Sequence, residues 1–258
     1  MNALNREELK KWWTAEETAA FQGWDFSYLA GRMEEQELPW DYKASVQARM
    51  KGAPVMLDMG TGGGEFLLSL SPPPGTTYAT EGYPPNYELC QLKLPPHGIK
   101  VKLVTDDEVL PFEDDFFDLV INRHESFSVR EVWRILRPGG VFITQQVGGM
   151  NNRELSRFLL SEQAMITAAD FHLGHAAGEL EAVGFEVLER HECFPELRFK
   201  DIGALVYFAK IIEWEFSGFS VERCFERLLE LNETVKRNGC VISKEHRFFI
   251  VAQKPFTR

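Results

Sequence analysis

The residues able to do chemistry gather between Asp58 and Glu125. Asp58 is followed at once by glycines, in the stretch Asp58-Met59-Gly60-Thr61-Gly62-Gly63-Gly64. Glycines this close together leave backbone N–H groups bare. A strongly polar or anionic ligand can then approach a helix N-terminus with no side chain in the way. Glu81 follows about 20 residues after the first glycine, a spacing that sets a carboxylate at the tip of a neighbouring strand, within reach of a ribose diol. Asp106 and Asp107 form an acidic pair, and Asn122-Arg123-His124-Glu125-Ser126 brings a histidine and a glutamate together. His124 has the side chain best suited to general-base work near neutral pH, with Glu125 behind it. Each has a plainer alternative: a tight turn wants glycine with or without a ligand, a strand-end acid can simply be solvated, and His124 can serve only to pack or bond its loop.

These residues need strands to end at them. Val55–Leu57 is a short apolar run of the length of a buried strand, and Phe66, Leu67 and Leu70 then recur at helical spacing. Ser71-Pro72-Pro73-Pro74-Gly75 stops that helix. Strands are expected at Thr77–Thr80, Val101–Val104, Phe116–Ile121 and Val141–Gln145, with a helix from Tyr83 to Leu94 that admits Pro84 and Pro85 in its first turn. Val129, Val132, Trp133 and Leu136 mark another helix. Helices are also expected over 151–165, 176–183 (closed by Gly184), 203–212 and 220–237 (Ser220 as cap, Gly239 as stop), and strands over 185–193 and 247–252. The pattern is α/β, with chemistry at the carboxyl ends of the strands, where open sheets bind ligands.

Asp-x-Gly-x-Gly-x-Gly after an apolar strand resembles the S-adenosylmethionine (SAM) turn of class I methyltransferases. A nicotinamide-binding Rossmann turn does not require the leading acid. Thr105-Asp106-Asp107-Glu108-Val109-Leu110-Pro111-Phe112 resembles the Gly-Asp-Ala-x-x-Leu-Pro-Phe segment of the ubiquinone- and menaquinone-biosynthesis type. Phe117-Asp118-Leu119-Val120 resembles that family's Phe-Asp-x-Val strand, and Leu136-Arg137-Pro138-Gly139-Gly140 its Leu-(Lys/Arg)-Pro-Gly-Gly turn. The resemblance implies a Rossmann-like, seven-stranded, mostly parallel sheet with helices on both faces and the last strand antiparallel, inserted between the fifth and sixth. It implies a SAM site drawn from Asp58, Met59, Gly60, Thr61, Gly62, Glu81, Gly82, Asp106, Asp107 and Asn122. By that match Asp106 falls on the acid that receives the adenine amino group and Asp107 stands where the family has a small residue, so which of Asp106 and Asp107 meets the adenine is open.

Residues 1–52 read as an N-terminal helical lid extension, and 53–258 as the methyltransferase-like domain, with a helical cap insertion at about 196–239. Asn5 with Glu8, and Thr14 with Glu17, have capping-box spacing, which predicts two short helices. Trp24, Trp40 and Tyr42 are candidate walls of a substrate pocket, each next to an acid in Trp24-Asp25-Phe26 and Trp40-Asp41-Tyr42. The alternative is that these aromatics bury the extension. Net charge is −11 and no basic run exceeds Lys10-Lys11, which disfavours a nucleic-acid partner. Cys90, Cys193, Cys224 and Cys240 form no Cys-x-x-Cys, and His172 with His175 has no cysteine nearby, so no metal site is expected. The absence of a signal peptide or a long apolar run predicts a cytoplasmic protein without membrane spans.

The function implied is methyl transfer from SAM to a small-molecule nucleophile (O, N or C), leaving S-adenosylhomocysteine. Two rivals stand beside it. One is a methyltransferase-like protein that binds SAM without turnover. The other is an NAD-dependent oxidoreductase, which shares the glycine turn and Glu81 but leaves Asp58, the Leu-Pro-Phe loop and the Leu-Arg-Pro-Gly-Gly turn without a reason.

Overall fold

The computed structural model describes residues 5–21, 26–160 and 168–256. The chain forms two compact units, each assembled from three stretches. The sheet unit comprises Pro39–Val147, His172–Cys193 and Arg247–Arg258; the helical unit comprises Met1–Leu38, Gly148–Phe171 and Phe194–His246. The first division thus falls at residue 38, whereas the sequence suggested one at 52.

Seven strands build the sheet unit: β1 (Met56–Met59), β2 (Thr77–Glu81), β3 (Ile99–Leu103), β4 (Phe117–Arg123), β5 (Leu136–Val147), β6 (Glu186–Cys193) and β7 (Arg247–Gln253). Their order is β3-β2-β1-β4-β5-β7-β6. The β3-β2-β1-β4-β5 ladder is parallel, and β7 runs antiparallel between β5 and β6. This is the topology implied by the resemblance. The order reverses between β1 and β4, and an open sheet leaves its ligand crevice outside the carboxyl ends at such a switch point.

Local chemistry explains the elements. All four residues of β1 are buried, as a strand covered on both faces requires. Helix Glu65–Ser69 follows Gly64, which is left-handed at φ 79°, and gives way to the proline loop after five residues. Helix Pro84–Lys93 takes its two prolines in the first turn, where no N–H is needed. The Leu-Arg-Pro-Gly-Gly segment is more than a turn. Helix Val129–Ile135 ends, Leu136 pairs once with Phe117, and the register then slips so that Leu119 meets Val141. Pro138 cannot donate to a ladder, so the bulge absorbs it. One sheet face is closed by Tyr42 and Val46 of helix Tyr42–Met50, which pack with Met56, Leu67, Ile121 and Phe249.

The helical unit packs helices Arg6–Glu17, Arg153–Leu160, Ile202–Ile211 and Val221–Asn238 around Trp13, Leu205, Phe216 and Leu228. The two capping-box spacings predicted two helices, and among the described residues they fall on one, Arg6–Glu17. Asn5 makes its capping box with Glu8, but Thr14 and Glu17 fall in the last turn of the same helix and start nothing. The 196–239 region is not wholly helical either. Glu196–Phe199 pairs antiparallel with Met33–Glu35 and with Val241–Lys244 in a three-stranded sheet. No helix of the described residues is long and apolar enough to cross a membrane.

Candidate functional site

The glycine turn is held chiefly by the tip of β2. Thr61 N donates to the Thr80 carbonyl (2.9 Å), Gly60 N reaches the Thr80 hydroxyl (3.4 Å), and Gly62 N donates to Glu81 Oε2 (2.7 Å). Glu81 Oε1 accepts from Tyr83 N at 2.8 Å, so the carboxylate clamps both loops while buried itself. Cys90 completes the clamp from below, its thiol donating to the Gly62 carbonyl at 3.0 Å. Asp58 is buried beneath this turn, and burial pushes its pKa up to about 7, against the pull of Arg123.

A cavity of about 240 Å³ opens at the carboxyl tips of β1 to β4, lined by Met59, Gly60, Gly82, Asp107 and Glu125, with Thr80, Val104, Thr105 and Ser126 between them. Two glycines keep it open. A Cβ on Gly60 would stand 2.4 Å from Glu125 Cγ, and one on Gly82 would stand 2.8 Å from the Val104 carbonyl oxygen. Asp107 and Glu125 converge on Ser126, whose hydroxyl donates to Asp107 and whose N–H donates to Glu125 Oε1 at 3.2 Å. Although Glu125 is exposed overall, partial desolvation raises its pKa, with Asp107 and Glu81 adding to the effect. Asp106 is not among the lining residues and accepts from Glu108 N at 2.9 Å, an Asx turn that holds the loop.

The remaining predicted residues are placed elsewhere. Asn122 is fully buried, with Oδ1 accepting from Thr144 Oγ1 (3.1 Å) and Gln146 Nε2 (2.5 Å). Tyr42 is buried in the core, its hydroxyl bonded to the Asn122 carbonyl at 3.0 Å and its pKa raised by burial. It is not among the residues that line this cavity. Trp40 is half-buried and stacks on His191 and Phe249 at 6.1 and 6.0 Å. Trp24 lies outside the described residues. His172 is an N-cap, its Nδ1 accepting from His175 N at 3.3 Å.

His124 is left-handed, with φ 62°, and its N–H bonds the Gln145 carbonyl at 2.8 Å. Its tautomer follows from its neighbours. The Trp40 indole can only donate, and it meets Gln145 Oε1 at 2.8 Å. The Gln145 amide nitrogen therefore faces His124 Nε2, at 3.0 Å, and donates to it. His124 is a neutral ring protonated at Nδ1. Although the residue as a whole is exposed, desolvation of its ring and the guanidiniums of Arg247 and Arg123 hold its pKa below the usual range.

Residues 57–144 match the family model described as a methyltransferase domain. A relative from Mycobacterium ulcerans (strain Agy99), "Probable phthiotriol/phenolphthiotriol dimycocerosates methyltransferase 2", is 33% identical over 109 residues, which cover 39% of this chain and 42% of that one. The chain thus spans about two fifths of that relative's length. Among solved structures, the YcgJ protein of Bacillus subtilis has TM-score 0.54 and 20% identity, covering 83% of this chain and 99% of that one. The [4+2]-cyclase SpnF has TM-score 0.53 and 15% identity, covering 83% and 80%. These two share the fold. The family model names the domain class and no branch within it. Its match lies on the strands and loops that carry the cavity, so this part of the chain is similar to the methyltransferase domain in both sequence and fold.

Proposed function

We propose that the protein transfers the methyl group of SAM to a small-molecule nucleophile. The observation that carries this is the acid-walled cavity at the switch point, built on the glycine turn inside the matched domain. Its chemistry fits the cofactor. Gly60 and Gly82 leave room for a ligand, Asp107 offers an acceptor for an amino group, and the carboxylates suit a cationic sulfonium. When bound, SAM supplies a methyl on a good leaving group, so the displacement needs no obligatory protein nucleophile. The chain's task is to hold the acceptor in line and keep water out.

Where the acceptor must lose a proton, Glu125 is the better-placed base. It lines the cavity, and its raised pKa strengthens it as a proton acceptor. His124 Nε2 already accepts from Gln145. With an acceptor in hand, Glu125→Gln should slow transfer by about 10²-fold or more while His124→Gln costs less; the reverse order would assign the base to His124. Trp40, half-buried beside Gln145 and His124, is the remaining described candidate for an acceptor wall.

Release of S-adenosylhomocysteine across a metabolite library tests the activity, and calorimetry with SAM, S-adenosylhomocysteine and NAD tests the site. Binding of NAD with no response to either sulfur nucleoside would refute the reading. A second reading has one observation in its favour: the fold is shared with a protein described as a cyclase. Tight SAM binding with no acceptor methylated would support that non-transferring use.

A further inference from the structure

Arg123 is a cation beside the cavity, two residues before Glu125 of its lining, with no assigned task. Asn122 pairs with Met59, so Arg123 lies one residue further, at the tip of β4 beside the start of the glycine turn. Its guanidinium lies over the Phe66 ring, 4.1 Å from the centroid, and Phe66 is the second residue of the helix that the turn opens into. Arg123 is exposed, and among the described residues no carboxylate forms an ion pair with it.

The backbone cannot easily do what this cation could. Gly60 N, Thr61 N and Gly62 N are bound to Thr80 and Glu81, and Gly64 N donates to the Thr61 carbonyl at 3.1 Å. The charged side chains that line the cavity, Asp107 and Glu125, are acids. SAM carries an α-carboxylate as well as its cationic centres. A carboxylate placed among these acids would be repelled unless a cation met it.

We propose that Arg123 anchors the α-carboxylate of the bound cofactor. The planar guanidinium offers the paired donors that a carboxylate accepts. Stacking on Phe66 pre-orients it. This inference rests on the SAM reading above.

The test compares ligands that differ by one group. SAM, decarboxylated SAM and 5′-methylthioadenosine are titrated by calorimetry into the wild type, Arg123→Gln and Arg123→Lys. The wild type should prefer SAM over the decarboxylated form by about tenfold or more, the size of a charge-assisted pair. Arg123→Gln should bring the two within about twofold, Arg123→Lys should keep part of the preference, and 5′-methylthioadenosine should bind all three proteins alike. A preference undiminished in Arg123→Gln overturns the proposal, as does equal weakening of all three ligands. A wild type that binds none of them refutes the SAM reading itself, a result distinct from either.

Discussion

Glu81 illustrates how one side chain can hold a site and serve it. Its two oxygens accept from Gly62 N and Tyr83 N, and each has lone-pair capacity left for a diol. Glu81→Ala should weaken S-adenosylhomocysteine binding by roughly 1.5–3 kcal/mol, the range for hydrogen bonds to a charged group. Titration calorimetry measures this, and an unchanged dissociation constant in a folded variant would make the residue a loop clamp only. Asp58 gives a pH signature. Its folded pKa of about 7 lies above the ordinary carboxyl value. Between about pH 4 and pH 7 the native state therefore holds a proton that the unfolded chain has released, and this contribution to stability is lost as pH rises to 7. Urea midpoints of the wild type should gain on those of Asp58→Asn as pH falls from 7 to 5, by at most about 1.4 kcal/mol per pH unit. Parallel profiles would show that Asp58 is ionised in the fold.

At the scale of elements, Asp201 does two jobs at the start of helix Ile202–Ile211. Oδ1 accepts from Ala204 N at 2.8 Å as an N-cap, and the carboxylate receives Arg32 Nε and Nη2 at 2.9 and 2.7 Å. Asp201→Asn keeps the cap and loses the charge; Asp201→Ala loses both. Denaturant unfolding should therefore place Ala below Asn by about 1 kcal/mol, the usual worth of a cap. Equal losses would mean that the cap contributes nothing. The same scale shows what was legible beforehand. Ser220, Gly184 and Gly239 mark helix ends by local chemistry, and the structure uses all three that way. Thr14 and Glu17 misled because spacing alone does not say whether a helix is already running. Strands Met33–Glu35 and Glu196–Phe199 are three and four residues long, and their pairing spans more than 160 positions of sequence. No local signal announces such a pair. Within the site, Gly60, Gly82 and Asp107 were readable from motif and spacing. The burial of Tyr42 and Asn122 was not, because it depends on Phe249, Thr144 and Gln146 far along the chain. Thr80, Val104 and Thr105 were not singled out as ligands beside residues that were, and strand ends running into a ligand crevice were the available clue.

The whole molecule is acidic, at −11, and its cavity is acidic as well. That agreement favours a cationic or neutral small ligand over a polyanion. The chain passes from one unit to the other after residues 38, 147, 171, 193 and 246, so neither unit is a continuous piece of sequence. Removal of residues 247–258 should be ruinous despite its small size. It deletes β7 and leaves β5 and β6 each with an open edge. Soluble yield and a thermal melt test this, and a soluble, cooperative fragment would show that the sheet tolerates the gap. For a ribosome, the same arrangement imposes a wait. At about 5–20 residues per second, β1 to β5 leave the exit tunnel several seconds before the strand that must slide between β5 and β6. Over that interval the nascent sheet carries two sticky borders, which makes this chain an expected client of cotranslational chaperones until Gln253 is made.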